Sequence, residues 1–363
     1  MRALLVLRPD ATERFGGDTV QALRTSRALR SLGVEVAVVE TLAPKAAGFD
    51  IAHIFGIAQP EVCARQMESC RRYAAAVALS PVWLSRREFF ARAWRSERIL
   101  RKARAEKAAR SRLRRLREFP AMRLLSRSEK KRIVAMERVQ AWLLRAADIV
   151  LPNSAIEARE YVVGLGAEPV RTRIVRNAAV EEAFVQWGAR RCGVVCGARI
   201  ESMKNQAMLS LALRGSGVPL TLAGEAYDAY YLRLCRRWGG PDLQYTGLLS
   251  QAQLFQLFAR SEIHAMPSWG ETAGLASLEA AAGGAKLVVG NRGAEVEYFG
   301  DDAEYANPAD PDSIRAAVMR AQARPAREAG DSLDRRIRRL SWRQAGGDTL
   351  LAYQAAISAR PRS

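Results

Sequence analysis

Two carboxylates and two cations are placed where they could do chemistry together. The segment PSWGETAGLASLEA (267–280) carries Glu271 in a stretch of small residues and Glu279 eight positions later. At a helical rise of about 1.5 Å per residue, eight positions span roughly 12 Å, so the two carboxylates cannot share one point. They can address two separated parts of one elongated ligand. Between them Gly274, Leu275 and Ala276 offer backbone N–H groups at the start of a helix, an arrangement that suits a phosphate. A carboxylate accepts paired hydrogen bonds from a vicinal diol, so Glu279 suits a ribose. The plain alternative is a solvent-facing helical Glu. Apolar neighbours (Leu275, Leu278, Ala280, Ala281, Ala282) weaken it, because a buried Glu needs a partner. Arg199 follows the apolar run 193–198, and Lys204 opens the next helical stretch. Two cations five apart across a loop can grip a diphosphate. Taken alone, the pair reads equally as surface charge. Near the N-terminus, Gly16 and Gly17 separate an apolar run from a helical one, which allows close backbone approach to an anion or merely a tight turn.

These residues need strands and helices to hold them. ALLVL (3–7), EVAVVE (35–40), DIAHIFG (50–56) and AAVALS (75–80) read as strands. Between the first two lies a helix that Asp18 or Thr19 can cap and Gly33 stops. DIVLPNS (148–154) and RIVRN (173–177) read as strands flanking a helix at 155–165. A second series begins at CGVVCGARI (192–200) and alternates through strands at 219–224, 243–247, 262–268 and 286–291. A last helix covers 341–357. Strand–helix alternation of this kind predicts parallel sheets with helices on both faces. The expectation is an α/β chain of two Rossmann-like domains facing across a cleft. Residues 1–185 form the N-terminal domain with a basic helical segment at 86–145, and 186–340 form the C-terminal domain. The helix in 341–363 returns to the first domain. Ligands of such sheets bind beyond the carboxyl ends of the strands.

A chain of 363 residues with 49% hydrophobic and 26% charged residues is globular and long enough for two domains. No uncharged apolar run reaches 18 residues, so no spanning helix is expected, and MRALLVLRPD reads as a buried strand rather than a secretory signal. Five irregularly spaced Cys and two His argue against zinc and fit a reducing cytoplasm. The net charge of +19 is concentrated: residues 86–145 hold 21 Lys or Arg against six Glu and no Asp, a balance of +15. Most charge runs are solvated helical faces. A surplus this local favours an anionic partner, and the interleaved Phe89, Phe90, Trp94 and Leu residues favour a membrane surface.

In order and spacing, several motifs resemble retaining glycosyltransferases of family 4, which have the GT-B fold. PSWGETAGLASLEAAAGG resembles their Glu-x7-Glu signature. CGARIESMKNQ resembles their Gly-Arg-x-x-x-x-Lys-Asn phosphate motif, with Ala198 inserted before Arg199. GGDTVQALRTSRALRSLGVEV, ADIVLPNSAIE and YTGLLSQAQLFQLFARSEIHAMPS resemble flanking regions of the same family. The resemblance implies a nucleotide-sugar donor in the C-terminal half. Arg199 and Lys204 would hold its diphosphate with help from the backbone at Gly274 and Leu275. Glu279 would bind the ribose, Glu271 the transferring sugar, and Gly16–Gly17 would approach the diphosphate. It implies transfer with retention and no metal or other cofactor, the leaving diphosphate helping to deprotonate the acceptor.

Many relatives carry a His at the end of the fourth strand. Here Ser80 stands in that region, with His53 at the end of the third strand as the other acceptor-side candidate. The expected acceptor is a glycan or a lipid-linked molecule of cell-surface polysaccharide or glycolipid synthesis. The enzyme would sit in the cytoplasm, peripheral on the inner face of the membrane through 86–145, without specific nucleic acid. Two rival readings are a nucleotide-sugar epimerase or hydrolase of the same fold and a basic nucleic-acid-binding protein. The few His argue against the first. The second leaves Glu271 and Glu279 unexplained, since carboxylates repel a polyanion.

Overall fold

A computed structural model describes residues 1–73, 76–187 and 191–359. Strand β1 (Arg2–Leu7) leads to helix α1 (Gly17–Ser31), then β2 (Glu35–Glu40), β3 (Ile51–Phe55), α2 (Pro60–Tyr73) and β4 (Val77–Ser80). Four helices follow: α3 (Arg87–Lys102), α4 (Glu106–Glu118), the single turn α5 (Ala121–Leu124) and α6 (Arg127–Ala146). Then come β5 (Ile149–Val150), α7 (Ala155–Leu165), β6 (Val194–Gly197), α8 (Gln206–Leu213), β7 (Leu220–Ala223), α9 (Ala229–Gly239), β8 (Leu243–Gly247) and α10 (Gln251–Arg260). The chain continues through β9 (Ile263–Met266), α11 (Leu275–Ala282), β10 (Lys286–Gly290), α12 (Glu295–Phe299), β11 (Ala303–Ala306), α13 (Pro311–Ala323), α14 (Ser332–Arg338) and α15 (Trp342–Ser358).

The chain divides into two compact units. The first comprises Met1–Ser85, Lys131–Ala178 and the stretch from Leu340; the second comprises Arg86–Lys130 and Ala179–Arg339. The expected fourth strand loses its first residue, Ala75, to the gap in the described residues, as the C-terminal region loses 360–363.

In the first unit five parallel strands lie in the order β2-β1-β3-β4-β5. The run ALLVL of β1 is apolar without alternation because it is covered on both faces. On one face Leu29 of α1 packs with Ala345, Ala352, Tyr353 and Ala356 of α15. The second unit has six parallel strands in the order β11-β10-β9-β6-β7-β8. Chain progression runs outward from β6 through β7 to β8, then reverses from β9 through β10 to β11. The reversal falls between β6 and β9, which pair directly at Val194 with Ile263 and Val195 with His264. Such a switch point leaves an open crevice beyond the carboxyl ends of the two strands.

Four readings of the sequence change. RIVRN makes no strand: Thr172 forms an isolated bridge to Val150, and Val175 N donates to Pro152 O at 2.9 Å beyond the end of β5. Asp18 does not cap α1, whose N-cap is Gly16 without a side-chain bond, because its carboxylate accepts from Arg8 Nε at 3.1 Å. The basic stretch 95–118 is broken at Ala103–Ala105 into α3 and α4. Finally, residues 86–130 cluster with the second unit, not the first. Leu100, Ala103, Ala109 and Leu113 join the core around β6, α8 and α9. Burying a Leu side chain contributes about 1.5–3 kcal/mol, so these two Leu alone anchor the insert firmly. Polar contacts reinforce it: Arg237 Nη1 donates to Arg101 O at 2.8 Å, Trp238 Nε1 to Leu100 O at 3.2 Å and Arg110 Nη2 to Leu211 O at 3.0 Å.

Candidate donor site at the β6–β9 switch point

β6 ends at Gly197 and hands the chain to a loop that carries Arg199, then to a 3-10 turn, Ser202–Lys204, that carries Lys204. Gln206, the first residue of α8, is fully buried and ties this loop together. Its Nε2 donates to Arg199 O at 2.7 Å and its Oε1 accepts from Glu201 N at 3.3 Å. Asn205 turns the chain in the left-handed conformation (φ 64°) and donates from Nδ2 to Pro267 O at 3.0 Å and Pro308 O at 2.8 Å. Trp269 N donates to Met203 O at 3.0 Å. The loops after β6 and β9 are therefore stitched side by side through backbone acceptors.

Across that seam Lys204 Nζ donates to Glu271 Oε1 at 2.6 Å, and Ser268 Oγ donates to the same oxygen at 2.6 Å. Burial works against the Lys204 charge, but the Glu271 carboxylate more than offsets it and holds the ammonium above its ordinary range. Lys204 has three N–H donors and Glu271 uses one, so the head retains donors for a ligand. Arg199 lies nearby on the same loop, about a third exposed, with Nη2 3.1 Å from Glu201 Oε1. Beneath them His264 is buried, and desolvation together with the Lys204 charge pulls its ring down to about 3.

Glu271 precedes α11, as expected, and Glu279 lies on the helix, half-buried beside the fully buried Leu278 and Ala280. The N-cap is Gly274, in the left-handed conformation (φ 64°), with no side-chain cap. The first-turn N–H groups at Leu275 and Ala276 therefore have no intrahelical acceptor. Arg199 and Lys204 thus lie on the loop after β6, Glu271 on the loop after β9, and Gly274 and Leu275 at the helix start that follows it, with Glu279 one turn further along.

In the first unit Gly16 caps α1 and Gly17 is its first residue. His53 and Ser80 are brought together, but in the interior. His53 Nε2 lies 2.9 Å from Ser80 Oγ, and Nδ1 lies 2.8 Å from Tyr353 OH on α15. Both residues are 2% exposed or less, and burial pulls the His53 ring down to about 3. This network joins β3, β4 and α15, and His53 sits inside β3, not at its end. In the same unit Glu157, wholly buried, accepts from Trp83 N and Asn153 N, each at 2.7 Å, and burial pushes its carboxyl up to about 8.

Asn205 entered the sequence reading only as the last residue of the Lys-Asn motif, without a role, although an Asn before an apolar helix was a signal for a left-handed turn; its neighbour Gln206 was given none either. Glu295 packs against Gly274 from α12, and nothing in its local sequence marks it. Among the described residues, no group of three or more His, Cys, Asp or Glu is arranged to hold a metal ion.

Residues 193–323, which contain this crevice, match the family model described as Glycosyl transferases group 1. Over 133 residues, 35% of this chain and 32% of the other, the sequence is 33% identical to the MMP alpha-(1->4)-mannosyltransferase of Mycolicibacterium hassiacum. The chain spans about a third to just over half the length of the curated relatives it matches. Among solved structures, sucrose-phosphate synthase from Thermosynechococcus elongatus superposes with a TM-score of 0.72 at 15% identity, covering 99% of this chain and 100% of that one. Anabaena HepE, solved with UDP and glucose, gives 0.67 at 14% identity, covering 98% and 99%. Likeness at this identity is likeness of fold, and the fold of the chain is GT-B, two parallel-sheet α/β units whose second contains the part that matches the group 1 glycosyltransferase model.

Proposed function

We propose that the protein is a retaining glycosyltransferase. It moves a sugar from a nucleotide-sugar donor to a glycan or lipid-linked acceptor, in cell-surface polysaccharide or glycolipid synthesis. The observation that supports this most is the Lys204–Glu271 pair at the switch point, beside an uncapped helix start. Arg199, the remaining Lys204 donors and the N–H groups at Gly274 and Leu275 supply the positive field a diphosphate needs. These groups act on charge that grows on the leaving diphosphate, so they stabilise the transition state more than the bound donor. Glu271 is positioned by Lys204 and Ser268 to accept hydrogen bonds from the transferring sugar, and Glu279 to hold the ribose. An oxygen of the leaving diphosphate takes the acceptor proton on the same face, and a divalent metal is not needed. A sugar-transferring relative and a fold neighbour solved with UDP and glucose support a nucleotide-sugar donor.

The test is a thermal-shift screen of UDP-, GDP- and ADP-sugars, followed by release of free nucleoside diphosphate from the one that stabilises the protein. Glu279→Ala should then lower affinity for that donor roughly ten- to a hundredfold. This is the loss of a hydrogen bond to a charged group worth about 1.5–3 kcal/mol. A folded Glu279→Ala protein that binds the donor as tightly as wild type would remove Glu279 from the ribose. Absence of any stabilising donor would remove the reading as a whole.

A further inference from the structure

Glu295 opens α12 and is 1% exposed. Its carboxyl is pressed against the N-cap of α11: a Cβ placed on Gly274 would come within 2.8 Å of Glu295 Oε1. That oxygen accepts a long hydrogen bond from Ser277 Oγ at 3.4 Å, in the first turn of the same helix. The other oxygen, Oε2, is fully buried and has no hydrogen-bond partner among the described residues. The backbone just before it holds the other end of the site. Ala294 N donates to Glu271 O at 2.8 Å, and a Cβ on Gly293 would lie 2.6 Å from that same carbonyl. Residues 293–295 thus touch both the Glu271 loop and the helix start.

We propose that Glu295 positions the Glu271 loop and the first turn of α11 for an anionic ligand, and that it does so as a neutral carboxylic acid whose Oε2–H is a hydrogen-bond donor at the site. The proposal rests on the donor-site reading above. A second carboxylate there would leave a buried anion without a partner. It would also set negative charge beside Glu271 and at the helix start that must receive the ligand's own negative charge. A protonated acid does neither. Burial, then the nearby Glu271 carboxylate, push the Glu295 carboxyl well above the ordinary carboxylate range, with Lys204 pulling the other way. The Tyr305 phenol of β11 feels the same carboxyl. Among the other charges on the elements packed against α12, Arg336 pairs with Asp302 and Arg338 with Asp334, Arg335 donates to Gly330 O, and Asp301 acts on the Tyr305 phenol.

The experiment measures calorimetric binding of UDP, GDP and ADP, with pyrophosphate as a nucleoside-free control, to wild type, Glu295→Gln and Glu295→Ala between pH 6 and pH 9. Thermal melts check that each variant is folded. Ionisation of the phosphates and of Lys204 affects all three proteins, so the ratio of wild type to Glu295→Gln is the quantity read. Glu295→Gln keeps the shape and a donor but cannot ionise. It should bind within about threefold of wild type at pH 6 and gain on it only as rising pH ionises the wild-type acid, by about tenfold once that ionisation is complete, the loss of one hydrogen bond in wild type compounded by like-charge repulsion. Glu295→Ala should be weaker than both at pH 6. A wild type already about tenfold weaker than Glu295→Gln at pH 6, as an ionised carboxylate would be, overturns the proposal. So does a folded Glu295→Gln that binds as weakly as Glu295→Ala at pH 6. If wild type binds none of these phosphates, the donor-site reading fails and this inference with it.

Discussion

Lys204, on the loop after β6, and Glu271, on the loop after β9, meet at 2.6 Å where the winding of the second sheet reverses. Neither loop reaches that geometry by itself. Asn205 holds the first against Pro267 and Pro308, Trp269 N holds the second against Met203, and Ser268 fixes the Glu271 carboxylate. The pair is mostly buried, the Lys204 side chain 19% and the Glu271 side chain 12% exposed. Removing one partner leaves a desolvated charge behind, which costs more than the bond itself.

Lys204→Ala should therefore weaken binding of the cognate nucleoside diphosphate roughly ten- to a hundredfold while changing nucleoside binding little, measured by calorimetry on the same preparations. Arg199→Ala, at a more exposed position, should act in the same direction with a smaller effect. With these cations supplying the positive charge, EDTA should leave the rate of transfer unchanged. Loss of activity in EDTA with recovery on adding magnesium would contradict this arrangement.

The two buried imidazoles make stability fall on the acid side. His53 and His264 are both held neutral, pulled down to about 3 from an ordinary 6.5. Their protonation favours the unfolded chain, so the stability tied to neutrality is complete above about pH 6.5 and is lost as pH falls toward 3. Each contributes a slope of about 1.4 kcal/mol per pH unit in that window. Neither His264 ring nitrogen has a hydrogen-bond partner among the described residues. His264→Leu should therefore flatten the fall of the urea midpoint between pH 7 and pH 5 without lowering stability at pH 7. A variant whose midpoint tracks wild type across this range would show that the ring is not titrating as described.

Hydrophobic periodicity made the βα series legible, because parallel strands buried on both faces must be uninterrupted apolar runs, as ALLVL and LVVG (287–290) are. The segment around Glu271 and Glu279 was legible for a related reason. A run of small and polar residues that turns apolar at Leu275 placed Glu271 before a helix and Glu279 on it, as the fold has them. Glu295 was not legible. It meets Gly274 only because α12 folds back over the start of α11, a tertiary contact with no local signature. The placement of 86–130 was hidden too, since Leu100 and Leu113 look alike in sequence whichever sheet they cover. RIVRN has strand composition but makes no strand: only Thr172, just before it, bridges to β5, which is two residues long.

The insert's inner face is committed to the second unit, so any anionic partner must use its outer face. There Lys102, Arg104, Lys107, Arg112, Arg114, Arg115 and Arg123 are exposed, with Trp94 at 59%, Phe119 at 56% and Met122 at 38%. Arg101 is a poorer choice for a test, since it pairs with the buried Glu97 at 3.2 Å. No helix among the described residues is long and apolar enough to cross a membrane. Any attachment through this face would be peripheral, with the aromatic side chains entering among head groups and the cations facing anionic lipid. Each cation near such a surface is worth about 1 kcal/mol. Flotation with phosphatidylglycerol vesicles should carry the protein up at low salt. It should fail at 1 M salt, where the screening length shrinks to about 3 Å. Changing Lys102, Arg104, Lys107 and Arg114 to Glu should abolish flotation while leaving nucleoside diphosphate affinity intact, because none of these side chains lies on the Arg199–Lys204 loop. If wild type ignores the vesicles at low salt and still transfers sugar to a water-soluble acceptor at full rate, the basic face serves some other anion.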